Sequence, residues 1–214
     1  MTLYNMEAIV HKSPFFHRMT PVDLIARHVK TKEEYMRLYL SSLKTFTQNE
    51  KEELEHLAMI ADSKLKRDYP EIANIPWKFA KISEDIEMGW PHTIEDVIIL
   101  TRVPDVSILI HEKIHVYQRM FPLKTEEFIE EKGFVRAGHR SDFALLRNNP
   151  DTNEYIYSIG NCVEIYQMYN SYHPSDLKDS TLSCLHAKDM YEHPYEFMAY
   201  YITNSLMEHV PNTL

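Results

Sequence analysis

The chain has only four glycines in 214 residues and no Gly-rich loop, so a phosphate-cradling nucleotide site is not expected. Two cysteines, Cys162 and Cys184, are too few for a disulfide framework and form no CxxC or finger spacing. They are expected to be buried thiols in a reducing compartment; His186 beside Cys184 does not make a thiol-protease pair. Basic residues are in deficit, 23 Lys+Arg against 32 Asp+Glu, which disfavours nucleic acid and anionic membrane surfaces as partners. No apolar run, the stretch Val106–Ile110 included, comes near the length of a membrane span, and the N-terminus shows no basic n-region before an apolar stretch. An intracellular, cytoplasmic protein with no membrane segment is expected.

What is present is a chain 44% hydrophobic with 14 tyrosines, enough for one sizeable core and an aromatic, helix-rich interior. A single domain over 1–214 is expected, with a helical N-terminal part over about 1–70. The capping pairs Thr31/Glu34 and Thr47/Glu50 open helices, giving 21–29, 32–45 and 48–67. In the last, Leu54, Leu57, Ile60 and Leu65 form the apolar side. Residues 68–75 read as a loop. Short β-like runs follow at 77–82 and 96–101, separated by Gly89-Trp90-Pro91. Asp105 is placed to cap a helix over 106–120 that Pro122 ends, and another helical stretch covers 125–137. After the turn at Asn148-Asn149-Pro150-Asp151, residues 154–169 alternate around Gly160-Asn161 as a hairpin, and Pro194 starts a helix over 194–208.

The chemistry is concentrated in His111-Glu112-Lys113-Ile114-His115. On a helix, positions i and i+4 share a face, so both imidazoles can converge on one metal ion while Glu112 stands beside its open position. A chain with 12 histidines can match this pattern by accident, but here it lies in an otherwise apolar helix, where Val106, Leu109, Ile110, Ile114 and Tyr117 can pack into the core. Two histidines and a glutamate in such a helix are costly unless they have partners. The motif resembles the helical zinc motif of the zincin metallopeptidases. The metzincin continuation is excluded, because Gln118 and Phe121 stand where that branch needs Gly and His. The thermolysin-like spacing fails as well, since Val135 occupies the position of its Glu ligand.

The C-terminal segment His193-Pro194-Tyr195-Glu196-Phe197-Met198-Ala199 resembles the third-ligand helix of gluzincins, in which Glu is followed three residues later by Ala. The resemblance covers about 96–120 and this helix. It implies an α+β, zincin-like fold, mostly helical with a small sheet, in which the run 96–101 is the edge strand beside the active-site helix and pairs with an extended peptide substrate. It further implies Zn2+ on His111, His115 and Glu196, with Glu112 taking a proton from the activated water and passing it to the leaving amine. Glu192, ahead of the helix start, is expected to matter less. His139 and Asp142 compete for the third-ligand role; Glu126, Glu127, Glu130 and Glu131 read as the charged face of a helix. An oxyanion donor is needed too, and Tyr155, Tyr157, Tyr166, His173, His193 and Tyr195 are candidates, with His193 and Tyr195 ranked first because they adjoin Glu196. The function expected is zinc-dependent hydrolysis of peptide bonds in a peptide or protein substrate. The rivals are a zinc-containing binding protein without turnover, and a zinc hydrolase of non-peptide amides.

Overall fold

The computed structural model describes residues 5–160, 162–183 and 191–208, with the side chains of 162–164 left out. Four short helices open the described chain: α1 (Met6–Lys12), α2 (Pro14–His17), α3 (Pro21–Ala26) and α4 (Lys32–Ser41). Strand β1 (Leu43–Lys44) leads to α5 (Gln48–Leu65), the one-turn α6 (Pro70–Ala73) and β2 (Phe79–Ile82). The capping box of α5 is complete, with Thr47 Oγ1 accepting from Glu50 N–H and Glu50 accepting from Thr47 N–H. At α4 only half forms, because Glu34 turns to the Lys30 N–H instead. A full box also starts α3, from Thr20 and Asp23.

Strands β3 (His92–Ile94) and β4 (Val97–Leu100) complete a four-stranded sheet in the order β1-β2-β4-β3, parallel between β2 and β4 and antiparallel elsewhere. The sheet separates two cores, and β4 explains why its four residues are uniformly apolar. Ile98 and Leu100 face the core shared with α5, α7 (Val106–Met120) and α9 (Pro194–Glu208), whereas Val97 and Ile99 face the core built by α1 to α4. Alternating side chains on a strand covered on both faces must all be apolar. The N-terminal helices are therefore the cover of one sheet face.

This arrangement corrects the placement of the edge strand. The run 96–101 supplies β4, which is internal; the edge beside α7 is the three-residue β3. Its outward positions are closed. Thr93 N–H donates to Asp151 Oδ1 at 2.9 Å, Thr93 O accepts from Arg119 Nη2 at 2.9 Å, and Pro91 has no N–H to offer.

Helix α8 (Pro122–Glu131) ends six residues before the expected limit of 137. Gly133 adopts φ +85 just past its end, a conformation suited to glycine, and Phe134 then pairs with Ile159. Strands β5 (Phe134–His139), β6 (Tyr155–Ile159) and β7 (Cys162–Ile165) form a second, antiparallel sheet. The hairpin turns at Gly160, φ +53; Asn161 lies outside the described residues. The alternating run does not continue to 169 as one strand, since β8 (Gln167–Tyr169) pairs instead with β9 (Ser180–Leu182). The structure is thus α+β with three small sheets rather than one. On α5 the buried stripe is Leu54, Ala58, Ala61 and Leu65, with Leu57 and Ile60 only partly covered; two alanines let α7 lie close against it. Cys184 and His186 lie outside the described residues.

Candidate metal centre

Helix α7 begins where the sequence indicates, with Asp105 Oδ1 accepting from the N–H groups of Ser107 and Ile108 at 3.0 and 3.1 Å. Its helical period sets His111 and His115 on one face, with their Nε2 atoms 3.0 Å apart. Helix α9 crosses α7 and brings Glu196 to the same point: Oε2 is 3.3 Å from His111 Nε2, and Oε1 is 3.8 Å from His115 Nε2. One donor atom from each of the three residues lies within 4.8 Å of the others, a cluster that a small shift could draw in to the roughly 3.3 Å separation of ligands on one tetrahedral zinc. His139 and Asp142 do not join the group; both are exposed at the end of β5.

The surrounding hydrogen bonds orient the donors. His115 Nδ1 donates to Gln118 Oε1 at 2.8 Å, which leaves Nε2 bare. The amide of Gln118 is itself fixed, because its Nε2 donates to Tyr195 O at 2.9 Å. Asn149 Nδ2 donates to Glu196 Oε1 at 3.2 Å and also to Glu192. These contacts match the outer-shell pattern of metal sites, where a partner sets the ring tautomer and steadies the carboxylate. Without a cation the donors share a proton: burial works against a charge on His111, but its hydrogen bond to Glu196 prevails and raises it to about 9. Burial drives His115 down to about 3. A divalent cation would take the place of that shared proton.

Glu112 is buried on the next position of α7, and its Oε2 accepts from Thr93 Oγ1 at 2.8 Å. Burial, reinforced by the charge of Asp151, pushes its carboxyl up to about 8. Among the described residues its Oε1 receives no hydrogen bond. His111, Glu112 and Glu196 line a cleft of about 770 Å³, walled by Trp90, Pro91, Arg147, Asn149, Tyr191 and Tyr200.

The two first-ranked oxyanion candidates stand elsewhere. His193 is buried, with Nε2 3.0 Å from Asn153 Oδ1 and Nδ1 accepting from Tyr195 N–H, and burial lowers it to about 3. Tyr195 borders a separate, smaller hollow near Arg18 and Arg119. Neither side chain lines the cleft, nor do Tyr155, Tyr157, Tyr166 or His173. Tyr157 instead donates to Glu126, which also pairs with Arg136, so that acid ties α8 to the second sheet. The tyrosine of α9 that lines the cleft is Tyr200, whose ring meets His111 edge-on at 4.5 Å between centroids. Its signal in the sequence is its place four residues after Glu196, on the same helix face. Glu192, expected to matter little, also lines the cleft and pairs with Arg147.

Comparisons with protein families, with curated proteins and with solved structures returned no match. Among the described residues no helix is long and apolar enough to cross a membrane.

Proposed function

We propose that the chain is a zinc-dependent peptidase of zincin type, with His111, His115 and Glu196 as ligands and Glu112 as general base. The observation that carries this reading is the convergence of His111, His115 and Glu196, with one donor atom of each within 4.8 Å of the others, beside a buried carboxylate in an open cleft. When bound there, zinc supplies a Lewis acid for the carbonyl and lowers the pKa of water at the open position. Thr93 anchors Oε2 of Glu112, leaving Oε1 as the atom that would take a proton from the attacking water and deliver it to the departing amine. Tyr200, on the same wall as Glu196, is the hydroxyl best placed to donate to the oxygen that gains charge. Because the outer edge of β3 is closed at Thr93 and Pro91, the substrate is held by side chains of the cleft and not by adding a strand.

Elemental analysis of the purified protein should find about one zinc per chain, the stoichiometry of one catalytic site, and none in the His111→Ala/His115→Ala variant. Glu112→Gln keeps the shape of the side chain but cannot take a proton. It should retain zinc while cleavage of a general peptide library falls by about two orders of magnitude or more. Undiminished turnover in Glu112→Gln, or full zinc occupancy in the histidine double variant, would overturn the reading.

A further inference from the structure

Five carboxylates line the cleft, Glu87, Glu112, Asp151, Glu192 and Glu196, and among the described residues the one Lys or Arg that lines it is Arg147. Three of the acids have partners of their own. Arg27 holds Glu87 and Arg119 holds Asp151, while Glu196 belongs to the metal group.

Arg147 is only partly used. Its Nη1 donates to Gln167 Oε1 at 2.6 Å and to both oxygens of Glu192 at 3.1 Å. Among the described residues its buried Nε has no hydrogen-bond partner and Nη2 has no acceptor. The side chain is only 6% exposed, so this is a guanidinium withdrawn from water with one whole edge unpaired. Buried donors are almost always satisfied, so an unpaired one on a residue that lines the cleft calls for an explanation, and a ligand of the cleft supplies one.

The same molecule shows what such an edge accepts. In Arg27, the Nε and Nη2 atoms grip the two oxygens of Glu87 at 2.6 and 2.9 Å, the side-on fork that matches a carboxylate. In Arg147 the corresponding two atoms have no acceptor among the described residues, and Trp90 lies against the guanidinium with its ring centroid 5.4 Å from Cζ. Position relative to the metal group follows from the chain of contacts Arg147–Glu192–Asn149–Glu196. Three hydrogen bonds in series span at most about 10 Å. An extended peptide covers that distance in about three residues or fewer.

We propose that Arg147 is a carboxylate-binding subsite of the cleft, and that the protein acts on peptides carrying a carboxylate within one or two residues of the bond attacked. This rests on the peptidase reading for the nature of the substrate, but the subsite is testable without turnover. The carboxylate can belong to a peptide C-terminus or to an acidic side chain.

The probes are acetyl-alanyl-alanine, its C-terminal amide, and acetyl-aspartyl-alanine amide, titrated into the full chain by NMR with and without zinc. The free acid, the Asp peptide or both should bind at least tenfold tighter than the neutral amide in either metal state. Which of the two is preferred identifies the source of the carboxylate. In Arg147→Gln the preference should fall to near one; if that variant does not fold, Arg147→Lys, which keeps the charge without the fork, should lose most of it. Equal binding of all three probes, or a preference that survives at position 147 as Gln or Lys, overturns the subsite. Zinc uptake measured separately by chelator competition tests the metal reading, so a chain that takes no zinc yet shows an Arg147-dependent preference loses the peptidase reading and keeps the subsite.

Discussion

Asn149 shows how much of the centre depends on a residue that touches no metal. Its side chain donates to Glu196 and Glu192 while its Oδ1 accepts from Asp151 N–H at 2.8 Å, so one amide sets the third ligand and the turn that carries it. Removing a supporting partner of this kind lowers metal affinity by about 10–100-fold. Asn149→Ala should therefore weaken zinc binding in that range by chelator competition, with the far-UV circular dichroism unchanged. Tyr200→Phe deletes a hydroxyl and keeps the ring against His111. If the hydroxyl donates to the developing charge, kcat should fall about 10²–10³-fold with KM little changed, as expected for loss of one such donor. His193→Gln should leave kcat within a few-fold, since that ring faces Asn153 and not the cleft.

At the level of elements, β4 and α7 together hold the site in place. Ile98 on β4 packs in the core that also contains Leu109, Ile110 and Ile114 of α7 and Met198, Ala199 and Ile202 of α9, so one hydrophobic cluster sets the crossing of the two ligand-bearing helices. Ile98→Ala leaves a cavity at a fully enclosed position and should cost about 2–5 kcal/mol by urea unfolding. Ile99→Ala, on the opposite face among residues of α1 to α4, should cost a similar amount but disturb zinc affinity less. The closure of the β3 edge also lives on this scale. Asp151 and Arg119 satisfy the outward groups of Thr93, and the same Thr93 steadies Glu112, so a contact that blocks strand addition also orients the base.

Over the whole molecule, the N-terminal helices and the metal group are joined through the turn at 147–152. Arg18 donates to Asn148, Asn149 and Thr152, Asp23 accepts from Asn148 N–H, and Arg27 donates to Asn148 O. Glu87 closes this network by holding Arg27 and accepting from Tyr35, all out of contact with water. Burial alone would raise the Glu87 carboxyl, but the charge of Arg27 and its hydrogen bonds outweigh it and hold the group below the ordinary carboxylate range. A carboxyl depressed on folding contributes stability in full above that range and loses it as pH falls through the folded value. Glu87→Ala should cost about 3–5 kcal/mol near neutrality, the effect of removing one partner of a buried ion pair, with Asp23 left as the remaining acid at Arg27. It should also flatten the decline of stability on the acid side, as measured by urea unfolding at neutral pH and at about pH 4.

The features legible in the sequence are those made by neighbours along the chain. Helix α7 with its Asp105 cap, the start of α9 at Pro194, the complete box at Thr47 and the i, i+4 pairing of His111 with His115 all follow from helical period and short-range capping. The Glu196 helix could be named by resemblance, yet its arrival at the histidines is a matter of packing between α7 and α9. Strand β3 escaped notice because three residues show no alternation to read, and β4 passed for an edge because a run buried on both faces looks the same as any short apolar strand. Asn149, Arg147 and Thr93 sit in turns or at an edge, where no periodicity marks them, and their partners are distant in sequence. Gln118 reaches Tyr195 across 77 residues and Arg18 reaches Asn148 across 130. Composition and local pattern determined the face of one helix that carries His111 and His115; only the tertiary structure decided which acid comes to lie beside them and which side chains line the cleft, because those choices depend on how separate elements pack against the sheet.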